Sequence, residues 1–268
     1  MISRRTIQNL PNNSRFYVLV FSVLLSAFVV CWLRARLVGD QLFYIRTEQA
    51  YGFIAVAYLY LALIISPVEK VVGKREWVKG LLFTRRAIGV SAAYFAVLHM
   101  VVALWGQIGG LGGVALLPER FVWAIGFGAV ALIVLLLMAA TSFDAVVTYM
   151  TFRRWKWLHR FVYLASVLII LHVWMIGTHV AYGWVQVVTF VPISLLLGLE
   201  AWCVVRKFAV RYPSFASKDY FWMLVASLWL LASSLLFMLP ALVQNYHGEH
   251  HSDHGNHQPP VSPGARHE

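Results

Sequence analysis

One apolar stretch, WLHRFVYLASVLIILHVWMIGTH from Trp157 to His179, carries three histidines: His159, His172 and His179. Placing an ionisable imidazole inside a bilayer is costly, and such a residue faces a partner, a cofactor or water. Imidazole is also an axial ligand of haem iron. One further histidine lies in an apolar stretch, His99 in YFAVLHMVVALW. Residue type and setting therefore raise one specific chemistry, a b-type haem clamped between two membrane helices. The plainer account of each histidine taken alone is a core residue bonded to a neighbouring carbonyl or hydroxyl.

The elements that must position these side chains are membrane helices. The chain has 268 residues, 60% hydrophobic and only 12% charged, with a mean hydropathy of +0.72. A soluble domain carries roughly twice that share of charge. Apolar runs of about twenty residues recur, as membrane helices require. The fold class is an all-α polytopic membrane protein with about seven transmembrane helices; the family resemblance described below implies that they form a six-helix haem-binding core plus one extra C-terminal helix. The spans are placed at 16–33, 51–67, 88–105, 121–140, 157–177, 184–205 and 220–242. The domain division is 1–50, an anchor span and external loop; 51–205, the core; 206–245, the additional helix; and 246–268, a tail. Arg4, Arg5 and Arg15 precede the first span like a signal sequence, but no small-x-small cleavage site follows, so it reads as a retained anchor.

The net charge of +11 comes from loops between spans and points to membrane lipid, with no nucleic acid implied. Lys70, Lys74, Arg75, Lys79, Arg85 and Arg86 follow the second span; Arg153, Arg154 and Lys156 follow the fourth; Arg206, Lys207, Arg211 and Lys218 follow the sixth. Positive-inside logic puts these loops and the N-terminus in the cytoplasm and the C-terminus outside; the family resemblance described below implies that the membrane is a bacterial inner membrane, with the C-terminus periplasmic. Arg34, Arg36 and Arg46 fit that orientation poorly. Cys31 and Cys203 read as buried thiols, and the absence of C-x-x-C-H argues against covalent haem. GQIGGLGG (106–113) follows a membrane helix rather than a strand, so it reads as an external turn and not as a dinucleotide site. Six of the ten histidines lie in the polar tail, His247, His250, His251, His254, His257 and His267. This tail should be disordered and bind transition metals loosely.

Spans three and five both start inside and run parallel. At ~1.5 Å per residue, His99 lies ~20 Å and His172 ~24 Å from the inner edge, while His159 lies only ~5 Å in. Two imidazoles at one depth on parallel helices can ligate both faces of one haem. His159 and His172, thirteen apart, are ~140° out of phase on a straight helix, which leaves His159 out of that pair. Arg85, Arg86, Arg153, Arg154 and Lys156 serve as topology determinants, and one or two of them can also pair with haem propionates or a flavin phosphate.

RRAIGVSAAYFAVLHM (85–100) and TSFDAVVTYMTFRRWKWLHRFVYLASVLIILHVW (141–174) resemble the ferric-reductase-like transmembrane domain family. GFIAVAYLYLALIISP (52–67) adds a weaker match. Within the family the chain is most similar to the haem-bearing membrane subunits of bacterial periplasmic methionine sulfoxide reductase systems. The resemblance covers about residues 51–177. It implies a six-helix core with b haem ligated through positions matching His99, His172 and His159. It also implies electron flow from a cytoplasmic flavin or membrane quinol to an outside acceptor. Two-haem members carry a second histidine on the third span, where this chain has Arg85 or Arg86.

The expected function is a b-type cytochrome carrying electrons across the membrane, a transmembrane oxidoreductase subunit. It takes them from a cytoplasmic flavin reductase, with FMN or FAD as separate donor, or from the quinol pool. It passes them to a periplasmic methionine sulfoxide reductase or to ferric or cupric ion. The cofactor is one haem b, with two as the alternative. The candidate cofactor-binding residues are His99, His172, His159, Arg86, Arg153 and Arg154, the three histidines also being the metal ligands. The competing reading is a haem-free metal-ion transporter or sensor using the histidine-rich tail. A transporter needs more acidic or polar residues in its spans, where Glu200 is the main candidate.

Overall fold

The computed structural model describes residues 4–73, 75–176, 183–213, 221–223, 225–230 and 233. Every regular element among them is helical: α1 (Arg4–Arg36), α2 (Asp40–Val72), α3 (Glu76–Val101) continued by a π-helical segment (Val102–Ile108), α4 (Leu111–Val114), α5 (Glu119–Ala140), α6 (Asp144–Met150), α7 (Phe152–Leu158), α8 (Phe161–Ile176) and α9 (Gly183–Arg211). Five stretches among the described residues are long and apolar enough to cross a membrane: Ser14–Arg36, Asp40–Val72, Glu76–Ile108, Glu119–Ala140 and Arg153–Ile176. They correspond to the first five spans read from the sequence. The sixth falls within α9. Most of the seventh and the whole histidine-rich tail lie outside the described residues, as does His179.

The helices run well past the apolar stretches that mark them. Residues 40–50, assigned to an external loop, form the first turns of α2. The connection between α1 and α2 is only residues 37–39, closed by an Arg34–Asp40 ion pair of 2.6 Å. Backbone hydrogen bonding continues beyond the point where apolar composition stops, because the helix satisfies its own amides whatever the side chains. The glycine-rich turn is also more ordered than its composition suggests. The π segment reaches Ile108, and Gly109 (φ 77) and Gly110 (φ 90) then reverse the chain into α4.

Helix α3 is central, packing against α1, α2 and α5, while α5 packs on α8 and α2 on α9. Small residues contribute many of the buried contacts beside larger ones such as Leu63 and Phe95, as expected where van der Waals packing rather than water exclusion holds helices together. Ala92, Ala93, Ala124, Ala131 and Ala165 are buried almost completely. Hydroxyls add polar links between helices. Ser22 Oγ of α1 donates within 2.8 Å of Ser91 Oγ on α3 and lies 3.0 Å from Tyr58 Oη on α2, while Tyr51 Oη donates to the Ser26 carbonyl. Large apolar side chains such as Phe21, Phe28, Ile133 and Leu137 point outward, where a lipid phase would cover them.

Candidate functional site: an imidazole pair and a basic cluster

His99 near the end of α3 and His172 on α8 come together. Their ring centres are 6.0 Å apart with planes at 90°. Both use Nδ1 on a carbonyl of a neighbouring helix: His99 on Glu48 of α2 at 3.0 Å, His172 on Ala124 of α5 at 2.7 Å. A ring donating Nδ1–H in this way keeps its lone pair on Nε2, the tautomer a metal ligand needs.

The docking device is the same on both sides. Four residues after each acceptor carbonyl stands a glycine, Gly52 after Glu48 and Gly128 after Ala124. Positions i and i+4 share a helix face. A Cβ on Gly52 would stand 3.0 Å from His99 Nδ1, and one on Gly128 would stand 2.8 Å from His172 Nδ1. Both glycines therefore open a helix surface so that an imidazole can reach the carbonyl beneath.

On the α2 side there is more. Glu48 Oε1 lies 3.6 Å from His99 Nδ1, with the carboxylate side chain only 18% exposed. Gln107, on the π segment, donates Nε2–H to the second carboxylate oxygen. The π segment also brings Gly106 so close to Tyr44 that a Cβ would clash with its ring. Single π turns interrupt α-helices most often at functional sites.

His159 is elsewhere. It caps α7, and the helix is broken there: the Arg160 amide reaches back only three residues, to the Trp157 carbonyl, before α8 begins at Phe161. The expectation of one straight helix from 157 to 177, with its ~140° phase difference, is replaced by this turn. The His159 ring stacks on Trp155 (4.1 Å, 33°), and its Nε2 lies 3.4 Å from Thr141 Oγ1. Trp155 in turn donates Nε1–H to the Thr141 carbonyl at 3.0 Å and lies under the Arg86 guanidinium at 5.1 Å. Arg86 and Arg15 both pair with the Asp144 carboxylate, Arg15 at 2.9 Å. The neighbouring Arg85 donates to the Ala62 carbonyl at 2.8 Å and to Ser66 Oγ at 2.7 Å on α2. Arg153 and Arg154 are exposed on α7 and form no ion pair among the described residues. Thr151, between α6 and α7, takes φ 65, a conformation unfavourable for a β-branched residue.

Of the six candidate residues, two thus form one pair, His99 with His172, and two share a second cluster, His159 with Arg86 through Trp155. Residues 51–170, which hold three of these four side chains and Gly52 but not Glu48, match the family described as ferric reductase like transmembrane component. A protein-methionine-sulfoxide reductase heme-binding subunit MsrQ from Ralstonia nicotianae is 33% identical over 58% of this chain and 70% of its own length. The chain belongs to the ferric reductase like transmembrane family. An MsrQ from Polaromonas naphthalenivorans is 30% identical over 69% of this chain and 83% of its own length. The magnetosome protein MamZ of Magnetospirillum gryphiswaldense is 30% identical over 47% of this chain but only 19% of its own length. No solved structure matches this family member.

The donor set of the pair suits an iron held from two sides. Two imidazoles on one metal, each bonded at about 2 Å, have ring centres about 6 Å apart. Among the described residues no three His, Cys, Asp or Glu side chains gather into a bare-ion site. A two-imidazole set is what haem uses, because the porphyrin supplies the other four donors. Glu48, Gly52, Gly128, Asp144 and Trp155 escaped the sequence reading. The i, i+4 spacing of an acceptor residue and a glycine is visible in the sequence, but only once the histidine it docks is known.

Proposed function

We propose that this protein is a membrane b-type cytochrome in which His99 and His172 would hold one haem. It would relay electrons across the inner membrane to a periplasmic methionine sulfoxide reductase. The observation that carries the reading is the pair itself: two imidazoles 6.0 Å apart, each with Nδ1 committed to a carbonyl. The names of the MsrQ relatives support haem as the ligand and the reductase as the acceptor.

Bound between these rings, haem supplies a one-electron iron couple in a low-dielectric setting. The chain's own residues do the rest. The Glu48 and Ala124 carbonyls hold each Nδ1 proton and so leave each Nε2 lone pair free to bind a metal. Gly52 and Gly128 provide the clearance that this orientation needs. Ala92, Ala93 and Leu135 belong to the close-packed core of the bundle, which excludes water from between its helices. The basic end, with Arg15, Arg86, Arg153, Arg154 and Lys156, is the cytoplasmic side under positive-inside logic. Exposed Arg153 and Arg154 suit the phosphate of an FMN or FAD donor, or a docking flavin reductase, and Arg86 beside Trp155 and His159 lies at that mouth. The quinol pool is the other donor this end could meet.

The test is a visible spectrum of the full chain purified after expression with haem supply, followed by mixing with oxidised methionine sulfoxide reductase. Low-spin b-type bands that sharpen to the reduced spectrum with a flavin donor and return to the oxidised spectrum on adding the acceptor are expected. A colourless protein would end the cytochrome reading. Haem that reduces but never passes electrons to the reductase would leave ferric or cupric ion as acceptor.

A further inference from the structure

The two halves of the imidazole site are alike in every respect but one. Each histidine docks Nδ1 on a carbonyl, and each carbonyl is followed four residues later by a glycine. The residue that supplies the carbonyl is Ala124 on the α5 side and Glu48 on the α2 side. Only the α2 half therefore places a negative charge beside the ligand. Glu48 Oε1 is 3.6 Å from His99 Nδ1, too long for a hydrogen bond but close for a charge. The carboxylate is mostly buried, so water screens it little. Its other oxygen is held by Gln107 from the π segment, which prevents it from swinging out to solvent.

We infer that Glu48 is a positioning residue for the haem-ligating imidazole: its carboxylate polarises His99 and biases the iron towards the ferric state. This rests on the reading of His99 and His172 as axial ligands. The physics is that of any outer-shell carboxylate beside a ligating histidine. Negative charge near the imidazole raises its basicity and favours the higher charge on the metal. The consequence for function is directional, since an iron with a lower potential gives up its electron to an acceptor more readily. The π segment then has a specific task, because a continuous α-helix would carry Gln107 to another direction and release the carboxylate.

The experiment is a spectroelectrochemical titration of the full chain in lipid nanodiscs, comparing wild type with Glu48→Gln, Glu48→Ala and Arg46→Gln. Glu48→Ala makes the two halves chemically alike. In both Glu48 variants haem content and the low-spin spectrum should persist. The ferrous-to-ferric ratio at a fixed potential should rise about tenfold, a 59 mV upward shift for one electron. Arg46 is an exposed charge two residues away, and its removal should change that ratio less than threefold, which separates a local effect from a general change in charge. If Glu48→Gln loses haem, Glu48→Asp keeps the charge one methylene further back. Haem restored in Glu48→Asp with a smaller upward shift supports the inference. Haem lost in both, or haem retained with an unmoved potential, overturns it. A wild-type protein that binds no haem overturns the cytochrome reading instead, so the two failures are distinct.

Discussion

Arg86 and His99 are thirteen residues apart on α3, and His159 and His172 are thirteen apart across α7 and α8. The two segments meet twice, and the two meetings are chemically opposite. At one level imidazole meets imidazole, with each Nδ1 tied to a carbonyl. At the other, an imidazole and a guanidinium both pack on Trp155, and the guanidinium is claimed by Asp144. A matched pair of neutral donors can share a metal. A cation with five N–H donors and no lone pair offers anion binding instead. The same spacing thus sets an imidazole pair at one depth and a charged anchor at the other.

The sharpest way to break this comparison is to remove one imidazole from the matched pair. His99→Ala or His172→Ala leaves one open face on the iron. Low-spin haem per protein, read from the visible spectrum and electron paramagnetic resonance, should fall by at least tenfold or convert to high spin. Low-spin haem persisting in His99→Ala would show that the pair is not the ligand set.

A smaller effect is expected from the helix surface that docks the ring. Glycine to alanine within a helix ordinarily stabilises by ~1 kcal/mol. At Gly128 the sign should reverse, because the new Cβ would stand 2.8 Å from His172 Nδ1 and 3.0 Å from its Cε1. Overpacking of this kind costs ~1–3 kcal/mol. Gly128→Ala should lower low-spin haem content several-fold. Gly52→Ala, with its nearest contact at 3.0 Å, should lower it less. Equal and full haem loading in both variants would mean that the rings have slack at the glycines.

These side chains also mark the limit of what the sequence shows. His99 and His172 could be paired from depth alone, since both lie in apolar runs and a helix rises by a fixed amount per residue. The number of early spans was legible for the same reason. Glu48 was not, because it lies on a stretch too polar to be counted as a span and was assigned to a loop. Its helix is held by backbone bonds that composition does not report. Asp144 stood inside the TSFD motif, yet nothing local says that a carboxylate there would gather Arg15 from α1 and Arg86 from α3. The break at His159 is likewise a tertiary outcome. Thr141 and Trp155 hold the ring where a straight helix would have carried it round.

At the charged level, Asp144→Asn keeps shape and removes the charge shared by Arg15 and Arg86. Asp144 is 67% exposed, so the ion pairs contribute at most ~1 kcal/mol to stability. Melting should shift by only a few degrees and low-spin haem should be unchanged. Reduction by a flavin donor, followed by stopped flow, should change and lose part of its salt dependence, since the orientation of Arg86 at the mouth is no longer held. Loss of haem from Asp144→Asn would merge the two levels into one site.

The smallest effect on haem is expected at His159, and it discriminates most between the two readings of the basic end. His159 lies thirteen residues from His172, ~20 Å along a helix, too far to serve the same iron. Its ring packs on a tryptophan and has a threonine hydroxyl at Nε2, and that tryptophan also carries a guanidinium rather than a second imidazole. In His159→Ala the Trp155 ring loses its stacking partner, while both carbonyl-docked histidines keep theirs. The ratio of haem to protein and the low-spin signal should therefore equal those of wild type, with donor-driven reduction slowed a few-fold. The family resemblance implies the contrary outcome, a second haem on the inner side held through His159. A ratio falling from about two to one in the variant, measured as extracted haem against amino-acid analysis, would establish that inner haem. It would also require the Thr141 contact to give way and Trp155 to move off the ring, so an altered tryptophan fluorescence on haem loading of wild type would have to accompany it.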